Sequence, residues 1–359
     1  MSTLTKTVLI MAGGHGERFW PSSRLAMPKQ FLALTDDSRT MIQLTVDRIR
    51  PFTEIENVYV ATSAAYRDLL QQQIPDLPAE NILCEPVGRN TAPCIALGAV
   101  HIRKKYGDAL MTVLPSDHLV QYPNIFRDVL QEACDLAESD DSIMTIGITP
   151  DEPETGYGYI KFIPRRAKCN AYAVERFVEK PDLETARRYV SSREYLWNSG
   201  MFTWKVSVIL NNLEKYLPRM TEGLRAIENS IGTPDYERVL RETFPRFPSI
   251  SIDYAVMEKA KNIYTLAANF GWDDVGSWLA VSRIRQTDER GNVHAGNVIA
   301  IDTRDTIIQA GGKLIAAVGV EDLVVVDTED ALLICNKDRA GEIKRVLQVL
   351  KERNMTSYL

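Results

Sequence analysis

No two of the five cysteines (Cys84, Cys94, Cys134, Cys169, Cys335) form a CxxC pair, and their number is odd. That scatter excludes a zinc-ribbon site and gives no disulfide framework. Long apolar runs are also missing. The stretch near the start, Thr7 to Ala12 (TVLIMA), is too short for a signal peptide and has no cleavage-type segment behind it. Nothing reaches membrane-spanning length, so no membrane partner is expected. There is no basic excess either: 42 Lys and Arg stand against 48 Asp and Glu, a formal charge of -6. A nucleic-acid partner normally demands a basic footprint, so none is expected. What remains is an ordinary cytoplasmic composition, 45% hydrophobic and 25% charged, which leaves little room for long disordered tails.

The 359 residues suffice for a full catalytic domain and a smaller appendage. TVLIMA ends in glycines, the pattern of a buried parallel strand feeding a tight turn. Similar runs recur at Val58–Thr62, Leu110–Leu114 and Met144–Ile148. Helical patterns lie between them, at Ala64–Gln73, Pro93–Tyr106 and Phe126–Glu138. Alternation of this kind predicts an α/β fold with a doubly wound, mostly parallel, Rossmann-like sheet. Its ligand site belongs at the carboxyl ends of the strands. Strands are expected at Gly158–Ile163, Tyr172–Val178 and Met201–Lys205, then a helix-rich stretch to Leu240. Asp253 is expected to N-cap a helix running through Lys261. From about Gly291 short β-segments alternate with polar turns, which suggests a small β-solenoid or β-prism module. Ile301-Asp302-Thr303 is echoed by Val326-Asp327-Thr328. A terminal amphipathic helix closes the chain. The domains expected are residues 1–288 and 289–359.

The turn Gly13-Gly14-His15-Gly16-Glu17-Arg18 lets backbone amides approach an anion closely. No Gly-Lys-Ser/Thr follows, so it is not a Walker A loop, and Phe19 and Pro21 break a dinucleotide fingerprint. Arg18 and Lys29 follow; together they can neutralise the β- and γ-phosphates of a triphosphate. The bland alternative is a glycine turn beside two surface cations.

GGHGERFWP followed by PKQFL resembles the opening signature of the mannose-1-phosphate guanylyltransferases, within the sugar nucleotidyltransferase family. The likeness continues through Glu85–Pro93 (EPVGRNTAP), Leu114–His118 (LPSDH), Thr155–Ile160 (TGYGYI) and Phe177–Pro181 (FVEKP). It ends with Trp197–Phe202 (WNSGMF), Ser251–Lys259 (SIDYAVMEK) and Gly271–Trp278 (GWDDVGSW). The resemblance implies transfer of GMP from GTP to mannose 1-phosphate, with Mg²⁺ held by Asp117 and Asp274. Asp273 is expected to be a solvated neighbour, and His118 a structural residue.

Gly13, Gly14 and Gly16 are expected to cradle the nucleotide. Glu85 can accept the two adjacent N–H donors of guanine. Asn90 either faces the nucleotide or caps the helix after it. For the sugar, the resemblance implies Gly158, Glu179 and Asn198, with Lys180 on the phosphate that is joined. It also implies a homodimer, and the lack of room for a fused isomerase domain suggests a monofunctional enzyme. Two rival readings stand beside this one. The same chemistry can act on a heptose or glucose 1-phosphate, or the chain can be a non-catalytic nucleotide-sugar sensor.

Overall fold

A computed structural model of the protein describes residues 4–14 and 16–359; His15 of the glycine turn lies outside the described residues. The chain divides into two units. Of the described residues, one comprises 4–13, 48–115 and 120–272, and the other 14, 16–47, 116–119 and 273–359.

The first unit is built on a nine-stranded sheet. Its strands are β1 (Lys6–Met11), β2 (Val58–Ser63), β3 (Ile82–Glu85), β4 (Leu110–Pro115), β5 (Ile143–Ile148), β6 (Tyr159–Lys168), β7 (Ala171–Val178), β8 (Tyr195–Lys205) and β9 (Ile263–Ala268). The order across the sheet is β3-β2-β1-β4-β8-β5-β9-β7-β6. The first four strands are parallel, as are β5 and β9. Strand β8 runs antiparallel between β4 and β5. The expected doubly wound α/β layout is therefore present, with β6, β7 and β8 adding an antiparallel part.

β1 is fully buried from Val8 to Ile10 because helices cover a parallel sheet on both faces. The helix Thr91–Tyr106 packs on it at close range. A Cβ on Gly98 would lie 2.7 Å from Leu9 Cδ2. The carboxyl ends of these strands are aligned by register: Met11 pairs with Ala61 and Ala61 with Leu83. Gly13 and Glu85 each follow two residues later, so they emerge level at one edge of the sheet.

Two local expectations change. Asp253 does not cap a helix. It begins a five-residue π-helix, Asp253–Met257, whose N-cap is Ile252. Its carboxylate instead accepts a hydrogen bond from Asn198 Nδ2 at 2.8 Å, a tertiary partner the local pattern cannot reveal. The helix expected at Ala64–Gln73 opens with a 3-10 turn, Ala64–Tyr66, before the α-helix Arg67–Gln73.

In the second unit, β10 (Val293–Ala295), β12 (Ile307–Gln309) and β14 (Leu323–Asp327) are parallel neighbours. The strand β11 (Val298–Ile301) pairs parallel with β13 (Ile315–Val318), and β15 (Leu332–Asn336) closes antiparallel on β14. Successive coils thus feed two sheets, which is a solenoid. Its repeat is not the one the sequence echo suggested. Val293 pairs with Ile307 and Ile307 with Val324, steps of 14 and 17 residues, whereas the echo runs at 25. Coil length follows the polar turns, which vary, so the eye finds a false period.

The solenoid's core is shared with the segment after the glycine turn. Phe19, Trp20 and Leu34 pack in one cluster with Trp278, Val293, Val324, Val326, Ile343, Leu347 and Leu350. Trp20 Nε1 donates to the Tyr358 carbonyl at 2.8 Å, and Trp278 Nε1 to the Trp20 carbonyl at 3.2 Å.

Candidate active site

Gly16 sits at φ 62°, and a Cβ there would lie 2.3 Å from Lys29 Cβ and 2.9 Å from the Lys29 backbone nitrogen. Only glycine allows the turn to close on the Pro28–Lys29 segment this tightly. The turn is held by Ser23 Oγ donating to the Gly16 carbonyl at 2.8 Å. Phe19, where a dinucleotide fingerprint would carry glycine, is fully buried and meets Trp278 at 5.2 Å between ring centroids.

Closure delivers Lys29 to the acidic residues. Its Nζ donates to Asp117 Oδ2 at 2.8 Å and to the Asp274 carbonyl at 2.7 Å. The Lys29 side chain is only 6% exposed, so it is not a surface cation. Burial pushes the Asp117 carboxyl up, but the charges of Lys29 and His118 and the Lys29 hydrogen bond outweigh it. The net effect lies below the ordinary value. Arg18 is exposed, and its one hydrogen bond among the described residues is long, Nη1 to the Gly276 carbonyl at 3.4 Å.

Asp274 lies in a turn of unusual backbone. Val275, buried and β-branched, has φ 48°, a conformation such residues rarely adopt. The turn lets successive carboxylates take successive amides: Asp273 Oδ1 accepts from Val275 N at 2.7 Å, and Asp274 Oδ1 from Gly276 N at 3.0 Å. Asp273 is not the solvated neighbour expected. Arg283 Nε donates to its Oδ2 at 2.8 Å, and only 14% of its side chain is exposed.

Gly16, Arg18, Lys29, Asp117, His118 and Asp274 all line one cavity of about 440 Å³. The donor set fits a hard divalent cation. Asp117 and Asp274 share the wall, and no group of three His, Cys, Asp or Glu side chains that could hold a metal occurs among the described residues. Mg²⁺ suits such a sparse set because it takes its other ligands from phosphates and water. The reading from sequence missed Lys344, which also lines the cavity. Its helix looks like any amphipathic surface helix, so no local signal marks it.

The first unit holds the other expected residues in two groups. Glu85 is buried, its Oε1 has no hydrogen-bond partner among the described residues, and burial raises its carboxyl to about 7. A Cβ on Gly13 would lie 3.4 Å from its Oε2. An unpaired buried acceptor costs on the order of 1–3 kcal/mol, so it marks a place for donors. Asn90 is the N-cap of the helix Thr91–Tyr106, its Oδ1 accepting from Thr91 N at 2.8 Å. The capping reading is therefore realised. Gly14, in the second unit, is an open glycine with nothing within 4 Å of an added Cβ.

Gly158, Glu179 and Asn198 come together. A Cβ on Gly158 would lie 2.7 Å from Glu179 Oε1 and 3.5 Å from Asn198 Cβ, and Asn198 N donates to the Gly158 carbonyl at 2.8 Å. Burial, with Asp253 and Glu258 adding to it, raises the Glu179 carboxyl against the opposing charge of Lys180. Lys180 itself is exposed at φ 43°. Asn198 is oriented by its bond to Asp253, whose carboxyl burial also raises.

No helix among the described residues is long and apolar enough to cross a membrane. Residues 7–291 match the Nucleotidyl transferase family, and residues 296–350 match the MannoseP isomerase/GMP-like beta-helix domain. Xanthan biosynthesis protein XanB of Xanthomonas campestris pv. campestris (strain B100) is 42% identical over 346 residues, 96% of this chain and 73% of that protein. The mannose-1-phosphate guanylyltransferase of Klebsiella pneumoniae is 39% identical over 355 residues, 98% of this chain and 75% of that protein. Among solved structures, one described as mannose-1-phosphate geranyltransferase from Thermus thermophilus superimposes with a TM-score of 0.88 at 33% identity. It covers 97% of this chain and 100% of that one. The chain is thus a nucleotidyltransferase enzyme: it belongs to the nucleotidyl transferase family, within the group of the mannose-1-phosphate guanylyltransferases.

Proposed function

We propose that the protein transfers GMP from GTP to α-D-mannose 1-phosphate, giving GDP-mannose and pyrophosphate. A phosphate oxygen of the sugar phosphate attacks the α-phosphorus in line, and the bond to the pyrophosphate oxygen breaks. The nucleophile is already an anion, so no general base is required. Catalysis is positioning and charge neutralisation. The observation that carries the reading is the cavity that gathers Arg18, Lys29, Asp117 and Asp274.

Gly13, Gly14 and Gly16 cradle the nucleotide, and Arg18 and Lys29 offset the charge of the leaving pyrophosphate. The bond network around Lys29 supports a second task for it, holding Asp117 and the Asp274 turn in place. Nucleotidyl transferases of this type use a divalent metal. Asp117 and Asp274 would hold Mg²⁺, which when bound offsets polyphosphate charge. Glu85, with its unpaired buried oxygen, reads the two N–H groups of guanine. Asn90 contributes to the nucleotide side through the helix it caps. Gly158, Glu179 and Asn198 bind the sugar, and Lys180 aligns its phosphate.

The family matches support a catalytic segment of residues 1–288 and an appended module of residues 289–359. Exposed Ile299, Ile301 and Val318 on the module support a homodimer, which light scattering tests. The free cysteines Cys84, Cys94, Cys134, Cys169 and Cys335 support a reducing, cytoplasmic location.

The decisive experiment measures pyrophosphate release across nucleoside triphosphates and sugar 1-phosphates. The highest turnover is expected for GTP with mannose 1-phosphate. A preference for a heptose or glucose 1-phosphate would replace the acceptor, and no release with any pair would leave the sensor reading.

A further inference from the structure

We propose that Lys344, on the helix Ile343–Glu352 that follows the solenoid, is a phosphate-binding residue of the same cavity. It would contact the pyrophosphate portion of the nucleoside triphosphate. The inference rests on the nucleotidyl-transfer reading of the cavity, but not on which base or sugar is used.

The helix is firmly placed. Ile343, Leu347 and Leu350 are buried in the cluster that also contains Phe19 and Trp20, the residues directly after Arg18. Lys344 follows Ile343 by one residue, which turns it off the buried face. It is exposed and lines the cavity together with Arg18, Lys29, Asp117 and Asp274.

Charge accounting selects it. Lys29 is already engaged, donating to Asp117 Oδ2 and the Asp274 carbonyl. Arg18 makes one long bond to a carbonyl. The ammonium of Lys344 has no hydrogen bond or ion pair within the described residues. Its helical neighbour Arg345, by contrast, is paired with Glu342 at 2.6 Å. Arg18 and Lys344 are therefore the cavity cations whose charge is not already answered. Of the acids, Asp117 and Asp274 are the metal candidates. Glu17 also borders a second, small cavity with Arg24 and Lys351. A polyphosphate brings three or more negative charges, and a single arginine answers only one. A lysine is suited to a compact phosphate charge without fixed geometry.

The experiment titrates magnesium pyrophosphate, GTP and GMP into the full-length protein and its Lys344→Ala, Lys344→Arg and Arg345→Ala variants by calorimetry. Lys344→Ala should weaken pyrophosphate and GTP about tenfold, the scale of one charge-assisted contact, and leave GMP unchanged. Lys344→Arg should keep most of the affinity, and Arg345→Ala should match the wild type. Equal pyrophosphate affinity in Lys344→Ala and wild type overturns the inference, as does a GMP affinity that falls in step with GTP. A wild type that binds no pyrophosphate overturns both this inference and the nucleotidyl-transfer reading. Lys344-dependent pyrophosphate binding without turnover of GTP and mannose 1-phosphate supports the inference and refutes the choice of substrates.

Discussion

Lys29 Nζ stands 2.8 Å from Asp117 Oδ2 while its other hydrogen bond reaches the carbonyl of Asp274, residues separated by 157 positions in the chain. One ammonium ties together the two acids assigned to the metal. Lys29→Ala would leave the Asp117 carboxylate without its partner in a half-buried position. A loss of about 2 kcal/mol is expected, below the range for fully buried pairs because Asp117 keeps some solvent. Denaturant unfolding measures it, and an unchanged midpoint would contradict the pairing. Turnover should fall as well, since the Asp117 carboxylate and the backbone of the Asp274 turn, the proposed metal holders, lose their brace.

Asp274→Asn separates charge from fold. The asparagine side-chain oxygen can still accept from Gly276 N, as Asp274 Oδ1 does at 3.0 Å. Stability should therefore remain near wild type while turnover drops by roughly 100- to 1000-fold, the scale for losing a principal electrostatic contact. Near-normal turnover would remove Asp274 from the metal site.

The proposed role of Glu85 as guanine reader predicts a pH dependence of base binding. Its carboxyl is raised by burial from an ordinary 4.5 to about 7. A carboxyl raised in the folded state contributes stability below its unfolded pKa and loses it as pH rises through the folded one. The window is therefore pH 4.5 to 7, and the loss is on the order of 3 kcal/mol. Only the ionised form accepts both guanine donors. Guanosine, which carries no titrating phosphate, should bind more tightly as pH rises towards 7 and release a proton at pH 6. Calorimetry in buffers of different ionisation enthalpy detects that proton. Glu85→Gln should bind weakly at every pH; a pH-independent affinity in the wild type would count against Glu85 as the base reader.

Lys180 combines a strained backbone with an assigned charge. At φ 43° a non-glycine residue is disfavoured, at a cost of about 1 kcal/mol. Lys180→Gly should thus be no less stable than wild type, whereas Lys180→Ala keeps the strain. Both should raise KM for mannose 1-phosphate about tenfold and change KM for GTP little. Equal effects on the two substrates would place Lys180 elsewhere in the reaction.

The strand-and-helix alternation was readable because a covered parallel sheet needs continuous apolar runs, and β1, β2, β4 and β5 have them. The candidate site residues were readable as motifs, since Gly16, Lys29 and Asp117 lie in short segments with distinctive chemistry. Their partners were not. Asp253 reads as a helix cap until Asn198, 55 residues away, takes its carboxylate. Asp273 reads as solvated until Arg283 claims it.

The glycines, cations and carboxylates proposed for the nucleotide and metal sites are determined by the sequence itself, because their chemistry is carried by residue type and short spacing. Tertiary structure alone decided that residues 16–47 fold with residues 273–359, since burying Phe19 and Trp20 requires the apolar face of a solenoid encoded hundreds of residues later. That burial is non-local and non-directional, so no local pattern records it. It is also what puts Lys344 on the wall of the cavity with Arg18 and Lys29.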